Sequence, residues 1–214
     1  MSLTLNPNEA RQADRTNLGI KTSGKYIGTI TRAEKIISKK NTEGLGISFK
    51  TDDGATANYL DLYTVNAEGK TLPSMATVQA ILCCTRTKNA DEGTIQFEKW
   101  DNEAKQSIKT NANGYPSLMG KRIGLLLQQE LSTNNTNGND VDRVVIYGVF
   151  EADTKLTASE ILDKATKPEK LEKMLNALMA RPINDRRDKA FIKQSTTSSQ
   201  PAGAFDDFED DIPF

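Results

Sequence analysis

The feature that most constrains the fold is a succession of short β-type segments, separated by turn residues, between residues 23 and 152. Residues 25–30 are rich in β-forming side chains, and Gly28 among them indicates a bend or bulge. In the next segment Leu45, Ile47 and Phe49 alternate with polar or small residues, as expected for a half-buried strand. The chain is therefore predicted to be mainly β.

Turn and capping residues set the order of the next elements. Asp52-Asp53-Gly54 predicts a hairpin turn, because Asp-Gly supplies the positive φ values that such turns need. A strand over residues 56–65 follows, with Leu60 and Leu62 on one face. Pro73-Ser74 then predicts the start of a helix.

Residues 85–120 are predicted to leave the main sheet as a hairpin, with strands at 94–100 and 106–109. Two longer apolar segments, at 122–130 and 141–150, predict the last strands. The order is three strands, a helix, an excursion and two strands. By itself, this order indicates a small β-barrel with added helices.

Two helices are predicted after the last strand. Thr157-Ala158-Ser159-Glu160 and Thr166-Lys167-Pro168-Glu169 both have the spacing of a capping box. In the second helix an apolar stripe should pack on the barrel or on a second subunit, which would make a homodimer; it consists of Leu171, Met174, Leu175 and Leu178.

The charges are distributed unevenly along the chain. The formal net charge is -1, yet residues 1–193 carry +4, because all 28 basic side chains but only 24 of the 29 acidic ones precede residue 194. A mildly basic body joined to an acidic tail is typical of a protein that binds a polyanion.

Several classes of chemistry are excluded by composition. The chain has no histidine, which excludes Ser-His-Asp and Cys-His catalysis and histidine-bound zinc. Cys83 and Cys84 are adjacent, so we expect reduced residues, at least one of them in the core. No catalytic residue, metal ligand or cofactor is predicted. There is no apolar run of 18 residues and no secretory signal pattern, so we expect a cytoplasmic protein without a membrane segment.

The last ten residues combine acidic and apolar side chains. Five are acidic and none is basic. A terminal aromatic ring beside a carboxylate suits a partner pocket with an apolar floor and a basic rim. The predicted partner-binding residues are Asp206, Asp207, Phe208, Glu209, Asp210, Asp211, Ile212, Pro213 and Phe214.

The ending Asp210-Asp211-Ile212-Pro213-Phe214 resembles the C-terminal tip of bacterial single-stranded DNA-binding proteins, the SSB family. In that family the tip docks replication, recombination and repair proteins, and the body is an OB-fold, a five-stranded barrel. Helices after the barrel are similar to the divergent members encoded by bacteriophages. The resemblance implies a non-enzymatic protein that coats single-stranded DNA in an infected bacterial host.

The residues and the resemblance together give the domain order. Residues 1–22 are polar and lack a sustained period, which predicts an N-terminal arm, and the polar residues 183–204 predict a disordered linker. The predicted C-terminal helices occupy residues 153–182. The resemblance implies that residues 23–152, with the hairpin excursion, form an OB-fold domain and that residues 205–214 are an acidic tip.

An OB-fold binds single strands across its second and third strands, using cations for phosphates and aromatic rings for bases. Tyr115, Lys121 and Arg122 are weaker candidates for this role. Lys109 lies near the hairpin candidates, and Arg143 is the one cation at the far end of the loop between the last two barrel strands. Asp61 lies between two of the candidate tyrosines and would repel phosphate. The predicted DNA-binding residues are Lys39, Lys40, Lys50, Tyr59, Tyr63, Arg86, Lys88, Phe97, Lys99, Trp100, Lys105, Tyr115 and Lys121.

Several of these residues have a second interpretation. Tyr59 or Tyr63 could be an edge residue of the core, and Trp100 could close a minor core or a subunit contact instead of stacking on bases.

Two alternative functions remain open. The protein could be an interaction protein whose tip is a decoy for the host pockets that bind SSB proteins. It could also be a metal-dependent nuclease that uses Asp52, Asp53 and Asp61. The second alternative is weaker, because the Asp52-Asp53-Gly54 segment is fully explained as a turn.

Overall fold

The computed structural model describes residues 19–101, 106–134 and 138–187. In chain order the elements are β1 (Gly24–Ile37), β2 (Glu43–Thr51), β3 (Thr56–Val65), α1 (Ser74–Cys84), β4 (Gly93–Asp101), β5 (Gln106–Gly114), a 3₁₀ turn (Pro116–Leu118), β6 (Arg122–Thr133), β7 (Asp140–Phe150), α2 (Ala158–Leu162), α3 (Lys170–Ala180) and β8 (Ile183–Asp185). The protein is mainly β, as the sequence predicts.

Strand β1 is the centre of the sheet, because it pairs with β2, β5 and β6. Its ladder with β2 shifts register between Ile30 and Arg32, so that a bulge bends the strand there. Gly28 lies at a close approach of backbones: a Cβ on it would stand 2.1 Å from the Lys50 carbonyl oxygen. The bend predicted from this glycine is therefore a backbone contact, and the bulge lies further along the strand.

The first three strands form an antiparallel meander, with β2 between β1 and β3. Ile47 and Phe49 on β2, and Leu60 and Leu62 on β3, all turn into the core. Their neighbours of opposite parity form the other face of the meander, as the alternation predicts.

A hairpin and a second antiparallel pair complete the sheet. Strands β4 and β5 form the hairpin, which meets β1 at the pair Glu34–Gly114. Strand β6 joins β1 to β7, and all these ladders are antiparallel.

The sheet is open. Within the described residues β7 pairs only with β6, and no ladder joins β3 to β7. The observed architecture is thus an open, mostly antiparallel sheet, and the barrel predicted from the sequence is not closed by backbone pairing.

One strand was not predicted. Ile183–Asp185 forms β8, which pairs in parallel with Gln129, Glu130 and Leu131 of β6. The boundary predicted at residue 182 is therefore wrong, since the first residues assigned to a linker belong to the sheet. The prediction failed because Ile183–Asp185, one apolar residue followed by two polar ones, is too short to show the alternation of a strand. The remainder of the predicted linker, from residue 188, lies outside the described residues.

The N-terminal arm is also described only at its end. Residues 1–18 lie outside the described part. The backbone nitrogen of Ile20 donates to the Thr56 carbonyl (2.8 Å), and Ile20 packs against the core.

Helix α1 packs Ile81 and Cys84 into the main core, beside Val78 and Leu82. Both cysteines are free, and Cys84 is buried, as expected from the sequence. Burial raises the pKa of the Cys84 thiol to about 12. None of the helices in the described ranges is long and apolar enough to cross a membrane.

The apolar stripe of α3 packs on the sheet of the same chain. Leu171 and Leu178 are buried against Leu126 and Phe150, with Met174 at the edge of this cluster. Burying each leucine contributes about 2–3 kcal/mol. This contact confirms that the stripe packs on the body of its own chain, which is the first of the two alternatives predicted for it.

Glu160 caps two helices. Its carboxylate accepts hydrogen bonds from Thr157 N and Oγ1 (both 2.8 Å), which confirms the first predicted capping box. It also accepts from the backbone nitrogens of Glu169 (2.7 Å) and Lys170 (2.8 Å). The second predicted capping box is therefore wrong, because Glu160 of the preceding helix supplies the cap of α3. Burial by itself would raise the pKa of Glu160, but these hydrogen bonds outweigh it and lower the pKa to about 2.

This geometry predicts an acid-sensitive stability. In the folded protein the pKa of Glu160 lies below its ordinary value of ~4.3. The ionised carboxylate therefore stabilises the folded state above that pH, and this stabilisation is lost as the pH falls toward 2. Glu160→Gln should lower the free energy of unfolding by about 2–3 kcal/mol at pH 7, and by less at pH 3. Urea unfolding at both pH values tests this. Glu169→Gln, at an exposed acid nearby, is the control. An equal loss at both pH values would contradict the assignment.

Candidate functional site

The candidate site is built around a buried arginine on β1. Arg32 follows the bulge and pairs with Ser48 of β2. It is only 8% exposed. Its Nε donates to Oε2 of Glu34 at 2.7 Å, on the same strand and the same face. Burying a guanidinium costs free energy unless its charge is paired, so the burial of Arg32 must be explained by its surroundings.

Two aromatic rings from separate elements surround the guanidinium. Its Cζ lies 5.3 Å from the ring centroid of Tyr59 on β3 and 5.4 Å from that of Phe97 on β4. Both distances are within the range of cation–π attraction. The arginine thus joins the meander to the hairpin.

Tyr59 is held in an unusual backbone conformation. Its φ is 59°, in the left-handed region, where the ladder between β2 and β3 shifts register. The bulge turns the ring toward Arg32 while leaving the residue 62% exposed. An unfavourable conformation that presents an exposed ring is typical of functional positions.

Gly46 provides the space under the guanidinium. A Cβ at this position would lie 2.8 Å from Nη2 of Arg32 and 3.1 Å from Oδ1 of Asp61. A side chain at position 46 would therefore have to displace the guanidinium of Arg32 or the Cγ2 methyl of Ile36.

A cleft of about 470 Å³ opens above the arginine, between β3 and the hairpin. This volume is within the range of small-ligand sites. The cleft is lined by Arg32, Glu34, Ser48, Asn58, Tyr59, Phe97, Glu98, Lys99, Thr110, Asn111 and Ala112.

A second cavity, of about 240 Å³, lies on the other side of Tyr59 and contains Asp61, Arg143 and Arg186. Partial loss of water raises the pKa of Asp61, while Arg32 and Arg143 oppose that rise. Tyr59 lines both cavities.

Glu130 fixes the arginines of the second cavity. It is buried and accepts from Nη2 (2.7 Å) and Nε (3.1 Å) of Arg143, and from Nη1 of Arg186 (3.4 Å). Asn184 of β8 also donates to it (3.1 Å). This one carboxylate therefore ties β6, β7 and β8 together and leaves both arginine side chains more than half exposed.

Among the predicted DNA-binding residues, the structure brings Tyr59, Phe97 and Lys99 together in the first cleft. Lys50 is exposed on the same face of β2 as Ser48, two residues or about 7 Å along the strand. Tyr63, 37% exposed, continues the face beyond Asp61.

Other predicted residues are placed elsewhere. Lys39 and Lys40 are exposed in the turn between β1 and β2, at the opposite end of β2 from Lys50. Lys88, Lys109 and Lys121 are exposed.

Three of the candidates are engaged in contacts within the protein. Arg86 makes two hydrogen bonds to Glu151 (2.7 and 3.2 Å), and Arg122 pairs with Asp52 (2.5 Å). Tyr115 packs against the core, and burial raises its pKa.

Some predictions lie outside the described residues. These are Lys105, the side chain of Trp100, and the tip residues 206–214.

Arg32 and Arg186 were missed by sequence reasoning. A signal for the first was available, because Arg32 and Glu34 have the same parity at the centre of a β segment. A charge pair on one face of a strand predicts an internal contact. No comparable signal marks Arg186.

The carboxylates of the nuclease alternative are not brought together. Asp52 pairs with Arg122, Asp53 accepts from Thr51 Oγ1, and Asp61 stands on β3 opposite Gly46. In the described ranges no three His, Cys, Asp or Glu side chains are placed to hold a metal ion.

The strain at Tyr59 gives a stability test. Asparagine tolerates left-handed φ, so Tyr59→Asn relieves strain while losing the contact with Arg32, and the free energy of unfolding should change by less than about 1 kcal/mol. Tyr63→Asn, on the same face of the same strand, gains no such relief and should cost about 1 kcal/mol. Urea unfolding of both variants compares them. A larger loss for Tyr59→Asn would show that its ring has a mainly structural role.

A scan against protein-family models finds no match for the chain, and a search of curated proteins finds none either. The function must therefore be inferred from the residues and their geometry.

Proposed function

We propose that this protein is a non-enzymatic single-stranded DNA-binding protein. It coats and protects single strands during replication, recombination and repair in the bacterial cytoplasm, in a host infected by a phage that encodes it. It recruits partner proteins through its acidic C-terminal tip.

The observation that carries the proposal is the group of Arg32, Tyr59 and Phe97 on an open sheet face. Proteins that bind single strands combine aromatic rings, on which bases stack, with cations that follow the phosphates. Tyr59 has a largely exposed ring beside a cleft, and that ring is backed by a buried cation. A ring that served only the core would not need a left-handed backbone to reach the surface.

Cations extend in two directions from these rings. Lys99 lines the first cleft, and Lys50 follows along β2. Arg143 and Arg186 line the second cavity, with their side chains more than half exposed. Asp61 lies between these cations and would repel a phosphate there.

We propose further that the sheet is an OB-fold. The order of paired strands is β3-β2-β1-β6-β7, with α1 between the third strand and β6. An OB-fold is a five-stranded, partly open Greek-key barrel that binds oligonucleotides across its second and third strands. The candidate cleft lies against that part of the sheet. The hairpin β4–β5 would then be an insertion that adds one wall to the binding face.

The recruiting role rests on the sequence of the tip. Its carboxylates and its terminal ring suit a pocket with a basic rim and an apolar floor, and its last five residues resemble the SSB tip.

A titration with oligo-dT tests DNA binding. We expect sub-micromolar affinity, no cleavage in magnesium, and a log–log salt slope of about −3 to −4 for four to six phosphate contacts. Lys99→Gln should make that slope less steep by about 0.7, while Lys173→Gln, at an exposed lysine of α3, should not. Tyr59→Asn should weaken binding by about 1–3 kcal/mol. Absent binding, or a slope near zero, would refute the proposal and favour the decoy alternative.

The tip has a separate test. Deleting Phe214 removes no acidic side chain and leaves a terminal carboxylate, so affinity for oligo-dT should stay unchanged. Docking of replication, recombination or repair proteins should be lost, because the ring that fills their pocket is gone. Pull-downs from bacterial lysate with the full-length and shortened proteins provide the measurement. If both forms retain the same partners, the role assigned to the tip is wrong.

A further inference from the structure

Arg32 has hydrogen-bond donors that the protein does not use. A guanidinium carries five N–H donors. In the described part of the chain Arg32 makes one side-chain hydrogen bond, from Nε to Glu34. No fully buried side-chain nitrogen or oxygen in that part lacks a partner. Each η nitrogen therefore keeps some contact with solvent, although the residue as a whole is more than nine-tenths buried, and Arg32 lines the cleft.

The charge of the cleft disfavours a phosphate at this point. The guanidinium of Arg32 is balanced by the carboxylate of Glu34, and Glu98 places a second carboxylate in the lining. Buried η nitrogens in a formally neutral pocket suit an uncharged ligand with acceptor atoms better than an anion. On a bound single strand, that ligand is a base.

The rings determine how the donors are presented. Tyr59 and Phe97 hold the guanidinium in place, and its N–H groups form a rigid fork that Gly46 leaves room for. Such a fork pairs with two adjacent acceptors, which guanine offers at O6 and N7. Adenine presents its N7 beside an amino group, so one N–H of the arginine fork would face another hydrogen-bond donor.

We propose that the cleft selects one guanine of the bound strand, read at O6 and N7 by Arg32. The inference rests on the proposed function and adds a base preference to it. The remainder of the strand is bound through stacking and phosphate contacts, which do not depend on sequence.

Modified bases test the inference without altering the protein. The probe is a labelled oligo-dT of about 15 nucleotides, long enough for one binding face. One central dG should lower the Kd by about 5- to 150-fold, whereas dA should leave it near the oligo-dT value. Inosine keeps O6 and N7 and should keep the gain. 7-Deazaguanine lacks N7 and should lose most of it.

Protein variants provide the second arm. Arg32→Lys keeps the charge but not the fork, so the ratio of the Kd for oligo-dT to the Kd for the dG oligomer should fall to about one, whatever the variant's overall affinity. Arg181→Lys, at an exposed arginine after α3, should retain the preference. If Arg32→Lys does not fold, the modified bases decide alone.

The outcomes separate the two proposals. Tight binding of oligo-dT with equal Kd values for dG and dA overturns the guanine pocket and leaves the proposed function standing. An equal gain for 7-deazaguanine and guanine also overturns it. Binding of neither oligo-dT nor the dG oligomer overturns both, whereas binding only with dG supports the pocket and overturns general coating.

Discussion

The pairing of one strand with three others is the constraint on which the structure depends. Strand β1 pairs with β6 through its first half and with β2 through most of its length, and it also meets β5. A bulge between Ile30 and Arg32 bends this strand between its ladder with β6 and its contact with β5, and Gly28 allows the β2 backbone to come close just before it. The same bulge sets Arg32 on the face that carries the cleft, so fold and candidate site have a common origin.

Burying the guanidinium of Arg32 costs free energy, and its surroundings offset only part of that cost. Glu34 takes one donor, and two rings provide cation–π attraction. These contacts join β1, β3 and the hairpin, and within the described residues no acceptor is paired with the η nitrogens. A residue kept only for stability would be better replaced by an apolar side chain of similar volume. The incomplete pairing is the observation from which the proposed contact with a base is inferred.

The sequence predicted the elements with a strong local pattern. Strand β3 has the predicted limits, and α1 begins at the predicted residue, because alternation and a proline mark them. The capping box at Thr157 was found for the same reason. Features set by distant residues were missed: β8 exists because β6 offers an unpaired edge, and α3 is capped by Glu160 from another helix. Neither partner is visible in a local window.

The candidate site was predicted by residue type and only partly by position. Tyr59, Phe97 and Lys99 were chosen as rings and cations on polar faces, and they do meet in one cleft. The same reasoning chose Arg86, Arg122 and Tyr115, which are engaged with Glu151, Asp52 and the core. Local sequence cannot distinguish these cases, because the partner that neutralises a cation is far along the chain.

Glu130 connects the binding face to the C-terminal part of the chain. Its carboxylate holds Arg143 of β7 and, through Asn184 and Arg186, the short strand β8. The described chain ends at Arg187, directly after β8, and Arg186 lines the second cavity. A strand of three residues has little stability of its own and depends on this buried carboxylate for its position. Neutralising Glu130 would therefore change two things at once, the arginines of the second cavity and the position of β8.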